Sequence, residues 1–242
     1  MTARLDVLLV ARGLVRSRAQ ARAAIEGGGV TVDGQVETSA SRKVADDAVL
    51  TVEAAHDYVG RGALKLAHAL ELWDVPVAGR IVLDVGASTG GFSEVCLRRG
   101  AARVYAIDVG HGQLHPRVAA DPRVVNLERT DARALDGRLI PEAPGLIVCD
   151  ASFISLAKVL PAALALAAPD ADLVTLVKPQ FEMESRADVG RGGVVRDEAA
   201  RAAALARVVA WLEGEGWRVL ATADSPIAGG DGNREYLLHA RR

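Results

Sequence analysis

The hydrophobic pattern divides the chain into two parts. From Arg80 onward, short apolar runs alternate with helical stretches. Ile81–Val85, Arg103–Ile107, Val124–Leu127, Leu146–Cys149 and Leu173–Val177 are rich in β-branched residues with little polar alternation, the pattern of strands buried on both faces. Helices are predicted between them, at Phe92–Arg99 and Leu156–Ala168. A long amphipathic helix, Glu198–Glu213, leads to Trp217–Ala223 and a last strand, Glu235–Ala240. Such alternation predicts an α/β fold with a mostly parallel sheet and helices on both faces. Ahead of it, Ala63–Leu70 reads as a helix. Residues 2–27 read as two short helices, with Leu5, Leu8 and Leu9 at helical spacing, Gly13 as a stop and Ser17 as an N-cap. Val30–Val32 with Asp33-Gly34 predicts a strand entering a hairpin turn, and Val49–Val52 another strand. This compact unit ends near Ala54, and 54–62 reads as a linker.

The polar residues within this pattern are not scattered. Asp84, Asp108, Asp150 and Lys178 each fall at or just after the C-terminal end of an apolar strand, and Asp131 follows the middle strand closely. In an open α/β sheet ligands bind outside those ends. After Ile81–Val85 comes Gly86-Ala87-Ser88-Thr89-Gly90-Gly91 and then Phe92. Glycines let backbone approach a ligand, and a helix start offers free N–H donors. The spacing is G-x-x-x-G-G, not the G-x-G-x-x-G of dinucleotide sites. The loop, together with Asp84 and Asp108, resembles the S-adenosylmethionine motif of class I methyltransferases. In that reading Asp108, with Val109 beside it, meets the ribose hydroxyls. Asp131 meets the adenine amine, with Ala132 giving a backbone contact. The glycine loop and Asp84 lie by the methionine end. Phe92 suits the core as well as the ligand. A lysine directly after a buried strand must be paired or lose its charge readily, and Asp150 is the natural partner of Lys178.

Composition narrows the picture. Half of the 242 residues are hydrophobic but only 4% are aromatic, so Ala, Val and Leu must fill the core. A net charge of -2 requires any nucleic-acid surface to be local. Cys96 and Cys149 fall in a predicted helix and a buried strand, which fits reduced structural thiols, and without CxxC or clustered His no metal site is expected. The apolar run Val7–Ala11 is too short for a secretory core, and Val159–Ala168 contains Pro161 and is too short to span a bilayer. A cytoplasmic, soluble monomer with no membrane partner is expected.

In the first part, Arg4, Arg16, Arg18 and Arg22 outnumber the acids, a pattern suited to phosphate contacts but also to a solvated basic face. The Arg4-Leu5-Asp6 start, Ser17-Arg18, Ala21-Arg22, Ile25, Gly28 and the Val30–Gly34 hairpin resemble an S4 domain, a small α+β RNA-binding module; Asp33 replaces the asparagine frequent in that turn. The resemblance implies RNA binding by those four arginines. In the second part, Lys65, Asp150, Lys178 and Glu235, in this order, resemble the K-D-K-E tetrad of FtsJ-like ribose 2′-O-methyltransferases. With RGALKL before the loop and GNREYLL near the end, the chain looks most like the TlyA group. Those are ribosomal RNA 2′-O-methyltransferases, historically labelled haemolysins. Ala63 and Ser93 stand where that family more often has glycine and threonine.

The resemblance implies an S4 domain over residues 1–59 and a class I, Rossmann-like methyltransferase domain with a seven-stranded sheet over 60–242. It implies S-adenosylmethionine as cofactor, ribosomal RNA or ribosomal subunits as partner, and cytidine 2′-hydroxyls of 16S or 23S RNA as targets. Chemistry agrees: a ribose hydroxyl must lose its proton as it attacks, and a lysine of depressed pKa can take it. Lys178 is then the base, Asp150 and Glu235 orient it, and Lys65 positions the hydroxyl; a purely positioning Lys178 is the alternative. Competing functions are a membrane-active haemolysin and an RNA-binding module on an inactive fold. The Gly190–Gly193 loop reads equally as an RNA-touching segment or an ordinary surface loop.

Overall fold

The computed structural model describes every residue except 1, 27, 53–55, 184–188, 191–192 and 230. Its N-terminal part contains β1 (Thr2–Arg4), α1 (Leu5–Ala11), α2 (Arg18–Glu26), β2 (Val30–Val32), β3 (Gln35–Val36), β4 (Lys43–Ala45) and β5 (Leu50–Val52). The β2–β3 turn has Asp33 at φ 52° and Gly34 at φ 80°, the left-handed pair of a two-residue hairpin, and Asp33 Oδ1 accepts from Val49 N at 2.9 Å. Ser17 does cap the second helix, its hydroxyl accepting from Gln20 N. The chain start differs from expectation. Thr2–Arg4 is extended and pairs antiparallel with β4, so helix begins only at Leu5. Leu5, Leu9, Ile25 and Val30 are fully buried between the helices and the strands.

The second part runs α3 (Gly62–Leu72), β6 (Ile81–Val85), α4 (Gly91–Arg98), β7 (Arg103–Ile107), α5 (Pro116–Ala119), β8 (Val124–Leu127), β9 (Leu146–Cys149), α6 (Leu156–Val159), α7 (Pro161–Leu166), β10 (Asp172–Val177), α8 (Pro179–Glu182), α9 (Glu198–Gly214), β11 (Arg218–Asp224) and β12 (Tyr236–Arg241). The seven-stranded sheet has the order β11-β12-β10-β9-β6-β7-β8. Strands β6 to β10 are parallel, and β12 lies antiparallel between β10 and β11. Alternate residues serve alternate layers. Val82, Val104, Val148 and Val174 pack with Leu66 and Val95 of α3 and α4, while Leu83, Val85, Ile147 and Leu173 pack with Leu160, Leu164 and Leu212 on the other face.

The predicted helix Leu156–Ala168 is two helices, because Pro161 cannot continue α6 and instead starts α7. After β6 the chain winds outward through β7 and β8, then returns to β9 on the opposite side of β6. The order reverses there, so a crevice opens outside the C-terminal ends of β6 and β9. No helix among the described residues is long and apolar enough to cross a membrane.

Candidate active site

The crevice has two connected lobes. A lobe of about 550 Å³ is walled by Gly86, Ser88, Asp108, Asp131, Ala132 and Asp150, among others. A smaller one, about 210 Å³, is walled by Gly60, Gly62, Thr89, Phe92, Asp150 and Lys178. Gly86, Ser88, Asp150 and Ser152 belong to both.

Backbone shapes the large lobe. Gly86 sits at φ 82°, and a Cβ there would lie 3.0 Å from Ala151 Cα, so only glycine lets the loop pass this close to the β9 end. Asp108, at the end of β7, accepts from Ser88 N at 2.8 Å and Gly110 N at 2.7 Å, which locks the glycine loop to the neighbouring strand end. Each of its oxygens keeps lone-pair capacity for a hydroxyl donor. Val109 is 72% exposed on the rim. Asp131 caps the short 3-10 turn Ala132–Ala134 and pairs with Arg133 at 2.6 Å; the Arg133 hydrogen bond lowers its pKa to about 2. Arg133 itself lines the lobe and was not foreseen.

Of the other loop residues, Thr89 faces the small lobe, Ala87 is buried on its wall, Gly90 ends the turn at φ 89°, and Gly91 packs against the Ala63 backbone. Phe92 is 4% exposed within the apolar layer and also forms part of the small-lobe wall.

Asp84 corrects the expectation. It does not reach the crevice wall. It shares the face of Val82 two residues before it, and α4 covers that face. Fully buried, it accepts from Ser93 Oγ at 2.6 Å, while Oδ1 makes no hydrogen bond. Burial pushes its pKa up to about 7, against the opposing hydrogen bond from Ser93.

Two ion pairs stand at this end of the sheet: Lys178–Asp150 lines the small lobe, while Lys65–Glu235 is buried off its wall. Lys178, directly after β10, places Nζ 2.6 Å from Asp150 Oδ1, 2.7 Å from Ser152 Oγ and 3.2 Å from the Asp150 carbonyl oxygen. Lys65, in the first turn of α3, places Nζ 2.6 Å from Glu235 Oε2. Side-chain exposure is 10% for Lys178, 22% for Asp150, 8% for Lys65 and 3% for Glu235. Gly62 lies behind Asp150, where a Cβ would stand 3.1 Å from Oδ2.

Two expectations change here. Glu235 bonds to Lys65 and acts on Lys178 only through its field. The Lys178 pKa is raised, not depressed: burial pulls it down, but the charges of Asp150 and Glu235 outweigh burial. Ser152 was missed, since a serine two residues past a strand carries no signal of its own.

In the N-terminal part, the side chains of Arg4, Arg18 and Arg22 converge on the buried Asp6 at 3.0, 2.8 and 3.4 Å, which holds its carboxyl well below the usual range, the Arg4 hydrogen bond first among the causes. About half of each guanidinium-bearing side chain stays exposed. Arg16 stands apart, with its backbone N–H donating to Gln20. Of the Gly190–Gly193 loop, Arg191 and Gly192 lie outside the described residues; the Gly193 carbonyl accepts from Asn233 Nδ2 at 2.9 Å. No group of three or more His, Cys, Asp or Glu residues suited to a metal ion occurs among the described residues.

Residues 58–242 match the family model of FtsJ-like methyltransferases, and residues 3–50 match the S4 domain. Over 241 residues the chain is 49% identical to the 16S/23S rRNA (cytidine-2′-O)-methyltransferase TlyA of Mycobacterium tuberculosis, covering 99% of this chain and 90% of that one. A hemolysin-labelled structure from Streptococcus thermophilus has a TM-score of 0.78 at 36% identity and covers 100% of this chain and 88% of that chain. The magnesium protoporphyrin IX methyltransferase of Synechocystis PCC 6803, solved with bound S-adenosylmethionine, shares the fold alone, with a TM-score of 0.52 at 16% identity over 78% of this chain and 86% of that chain. The chain belongs to the TlyA family, in which an S4 domain precedes an FtsJ-like methyltransferase domain.

Proposed function

We propose that this protein transfers the methyl group of S-adenosylmethionine to the 2′-hydroxyl of a cytidine in 16S or 23S ribosomal RNA. Residues 1–59 bind RNA and residues 60–242 carry out the transfer, in the cytoplasm and as a monomer. The observation that carries the reading is the desolvated ion pair Lys178–Asp150 on the wall of the small lobe beside the glycine loop, backed by the buried Lys65–Glu235 pair whose Glu235 charge acts on Lys178.

The large lobe fits the cofactor. Gly86 leaves the backbone bare where a Cβ would collide with Ala151, Asp108 offers acceptors for a ribose diol, and Asp131 and Ala132 stand where an adenine edge would lie. The cofactor supplies an electrophilic methyl group on a positive sulfonium. Lys178 takes the proton of the 2′-hydroxyl onto Nζ as the oxygen attacks. It must first give up its resting proton, which it does more readily beside a bound sulfonium. Asp150 and Ser152 fix the direction of Nζ; Lys65, held by Glu235, donates to the ribose oxygen and aligns it. The reaction then draws chiefly on in-line placement. Arg4, Arg18 and Arg22, aimed by Asp6, and the separate Arg16 meet RNA phosphates.

The test is mapping of 2′-O-methylation on ribosomal RNA from cells with and without the gene, with transfer by pure protein in parallel. Cytidine methylation present only with the gene is expected, and Lys178→Ala should abolish it without unfolding the chain. Full activity in that variant sinks the tetrad assignment. The hemolysin label of a relative makes membrane lysis the rival function, and leakage of vesicles by the pure protein is its measurement.

A further inference from the structure

The β2–β3 hairpin of the N-terminal part touches the loop ahead of Glu235. A Cβ on Gly232 would lie 2.8 Å from the Gly34 carbonyl oxygen. Beside this contact a cavity of about 480 Å³ opens between the two parts of the chain. Its walls are the Asp33–Gln35 turn, Val194–Arg196 with the start of α9, and Asp231, Gly232 and Arg234.

Arg201, from the first turn of α9, lines this cavity and is only 7% exposed. Its guanidinium lies over the Tyr236 ring, 5.9 Å from the centroid. Among the described residues its guanidinium has no hydrogen bond and no ion pair, and neither do the side chains of Arg196 and Arg234. A guanidinium carries five N–H donors, and those of Arg201, with no protein acceptor, are left to the water of the open cavity.

The acids of the wall do not meet this need. Asp33 accepts from Val49 N, and Asp231 accepts from Asn233 N and from Gln180 Nε2. Glu198 is exposed at the rim. Formal charges in the wall balance, three arginines against three acids, but hydrogen-bonding capacity does not: the donors are idle and most of the acceptors are engaged. The group this cavity suits is therefore an anionic acceptor that replaces that water. Planar guanidinium forks match phosphate oxygens in particular.

The location indicates which phosphate. Tyr236 pairs with Val177 across β10 and β12, and Arg234 adjoins Glu235, so the cavity lies one step along the strand ends from Lys178. We infer that the cavity between the hairpin and the Glu235 loop is a phosphate site for the RNA backbone, with Arg201 from within and Arg196 and Arg234 from the rim holding a phosphodiester near the acceptor ribose. RNA as the occupant rests on the function proposed above. A phosphate held there touches walls from both parts of the chain and ties RNA binding by the N-terminal part to the placement of Glu235.

The test uses the full chain, deproteinised 16S and 23S RNA, and the variants Arg201→Gln, Arg201→Lys, Arg196→Gln and Arg234→Gln. Affinity is measured across a salt series, with cofactor affinity, melting temperature, kcat and the KM for RNA alongside. Each Gln variant should reduce the slope of log affinity against log salt by about 0.7–0.9, the value for one lost phosphate contact. Arg201→Gln should also weaken binding about tenfold and raise KM for RNA, with kcat at saturating RNA and cofactor affinity retained. Arg201→Lys should recover the slope but only part of the affinity. An unchanged slope in Arg201→Gln overturns the phosphate site, whether melting is normal or lowered, since the residue then only packs against Tyr236. If that variant does not fold, wild-type slopes in both rim variants overturn it. Wild-type chain that binds RNA with these slope changes but transfers no methyl group sinks the enzymatic reading alone. Transfer with all variants binding normally sinks the phosphate site alone, and no RNA binding at all sinks both.

Discussion

Replacing Asp150 by Asn removes the carboxylate 2.6 Å from Lys178 Nζ while keeping the side chain's shape. An opposite charge at such range typically moves a pKa by about 1–3 units. Glu235 still acts on the ammonium, and burial, until now outweighed, pulls the other way. The Lys178 pKa in the variant should therefore fall relative to wild type. If Lys178 takes the ribose proton, log kcat rises with unit slope until that pKa is passed. Near pH 7.5 the neutral fraction in Asp150→Asn is then larger than in wild type. The plateau should nevertheless be lower, because Asp150 also aims Nζ. The assay is single-turnover methyl transfer to ribosomal RNA at saturating cofactor, from about pH 6.5 to about pH 9.5. A rising limb displaced to lower pH with a reduced plateau is the expected result. A variant profile that overlays wild type after vertical scaling, or a wild-type rate independent of pH, refutes proton transfer to Lys178 and leaves it an ammonium that only positions the hydroxyl.

Further outcomes follow from the other buried groups. Glu235→Gln leaves Lys65 as a buried ammonium without its counterion and should lower stability by about 3–5 kcal/mol in urea unfolding. Adding Lys65→Met should restore most of that stability but no activity, and activity in the double variant would argue against the pair's role. Asp84 holds its proton in the fold up to about pH 7, against an ordinary value of 3.8, so the native state binds more protons than the unfolded chain between those values and stability falls as pH rises through them. The full effect is about 4 kcal/mol for this fully buried group, and Asp84→Asn should flatten that part of the stability curve; an unchanged slope means that Asp84 is ionised throughout. Gly86→Ala should abolish calorimetric binding of S-adenosylmethionine, since the added Cβ meets Ala151 at 3.0 Å in a backbone of φ 82°, and normal affinity would remove the glycine loop from the cofactor site.

The inner parallel strands were legible because burial on both faces leaves a nearly continuous apolar run, and the edge strand Val124–Leu127 because only the exposed Asn126 interrupts one. Ile81–Val85, Arg103–Ile107, Val124–Leu127 and Leu146–Cys149 have the bounds read from the sequence. Thr2–Arg4 was not legible: its strand form is imposed by pairing with Lys43–Ala45 some forty residues on, which three residues of pattern cannot announce. Asp84 was readable and misread, since the two-residue alternation that assigns Val82 to the α3–α4 face assigns Asp84 to it too. Pairing within the tetrad lay beyond local reading. The Lys178–Asp150 pair follows from adjacent strand ends, but the Lys65–Glu235 bond joins residues 170 apart and depends on how α3 lies across β12.

Burial of charge does not by itself mark this site. Asp172, at the opposite end of β10, is also fully buried and gathers Arg80 at 2.6 Å, His239 at 2.8 Å and Arg241 at 2.9 Å. Burial alone would raise its pKa, yet hydrogen bonds from His239, Arg80 and Arg241 bring it down to about 2. That cluster joins β10, β12 and the segment before β6, lines none of the cavities described above, and uses both carboxylate oxygens. It is explained as a clasp at the amino end of the sheet. The tetrad differs in one physical respect: Lys178 and Asp150 are nearly dry yet face open space at the carboxyl end. Apolar residues of the same volume would fill that position at no loss of stability, and often at a gain. A clasp needs its charges turned toward one another. Charges turned together toward a cavity hold hydrogen-bonding capacity in reserve for a guest, and the guest that suits this ammonium–carboxylate pair is a hydroxyl that must be oriented and then deprotonated.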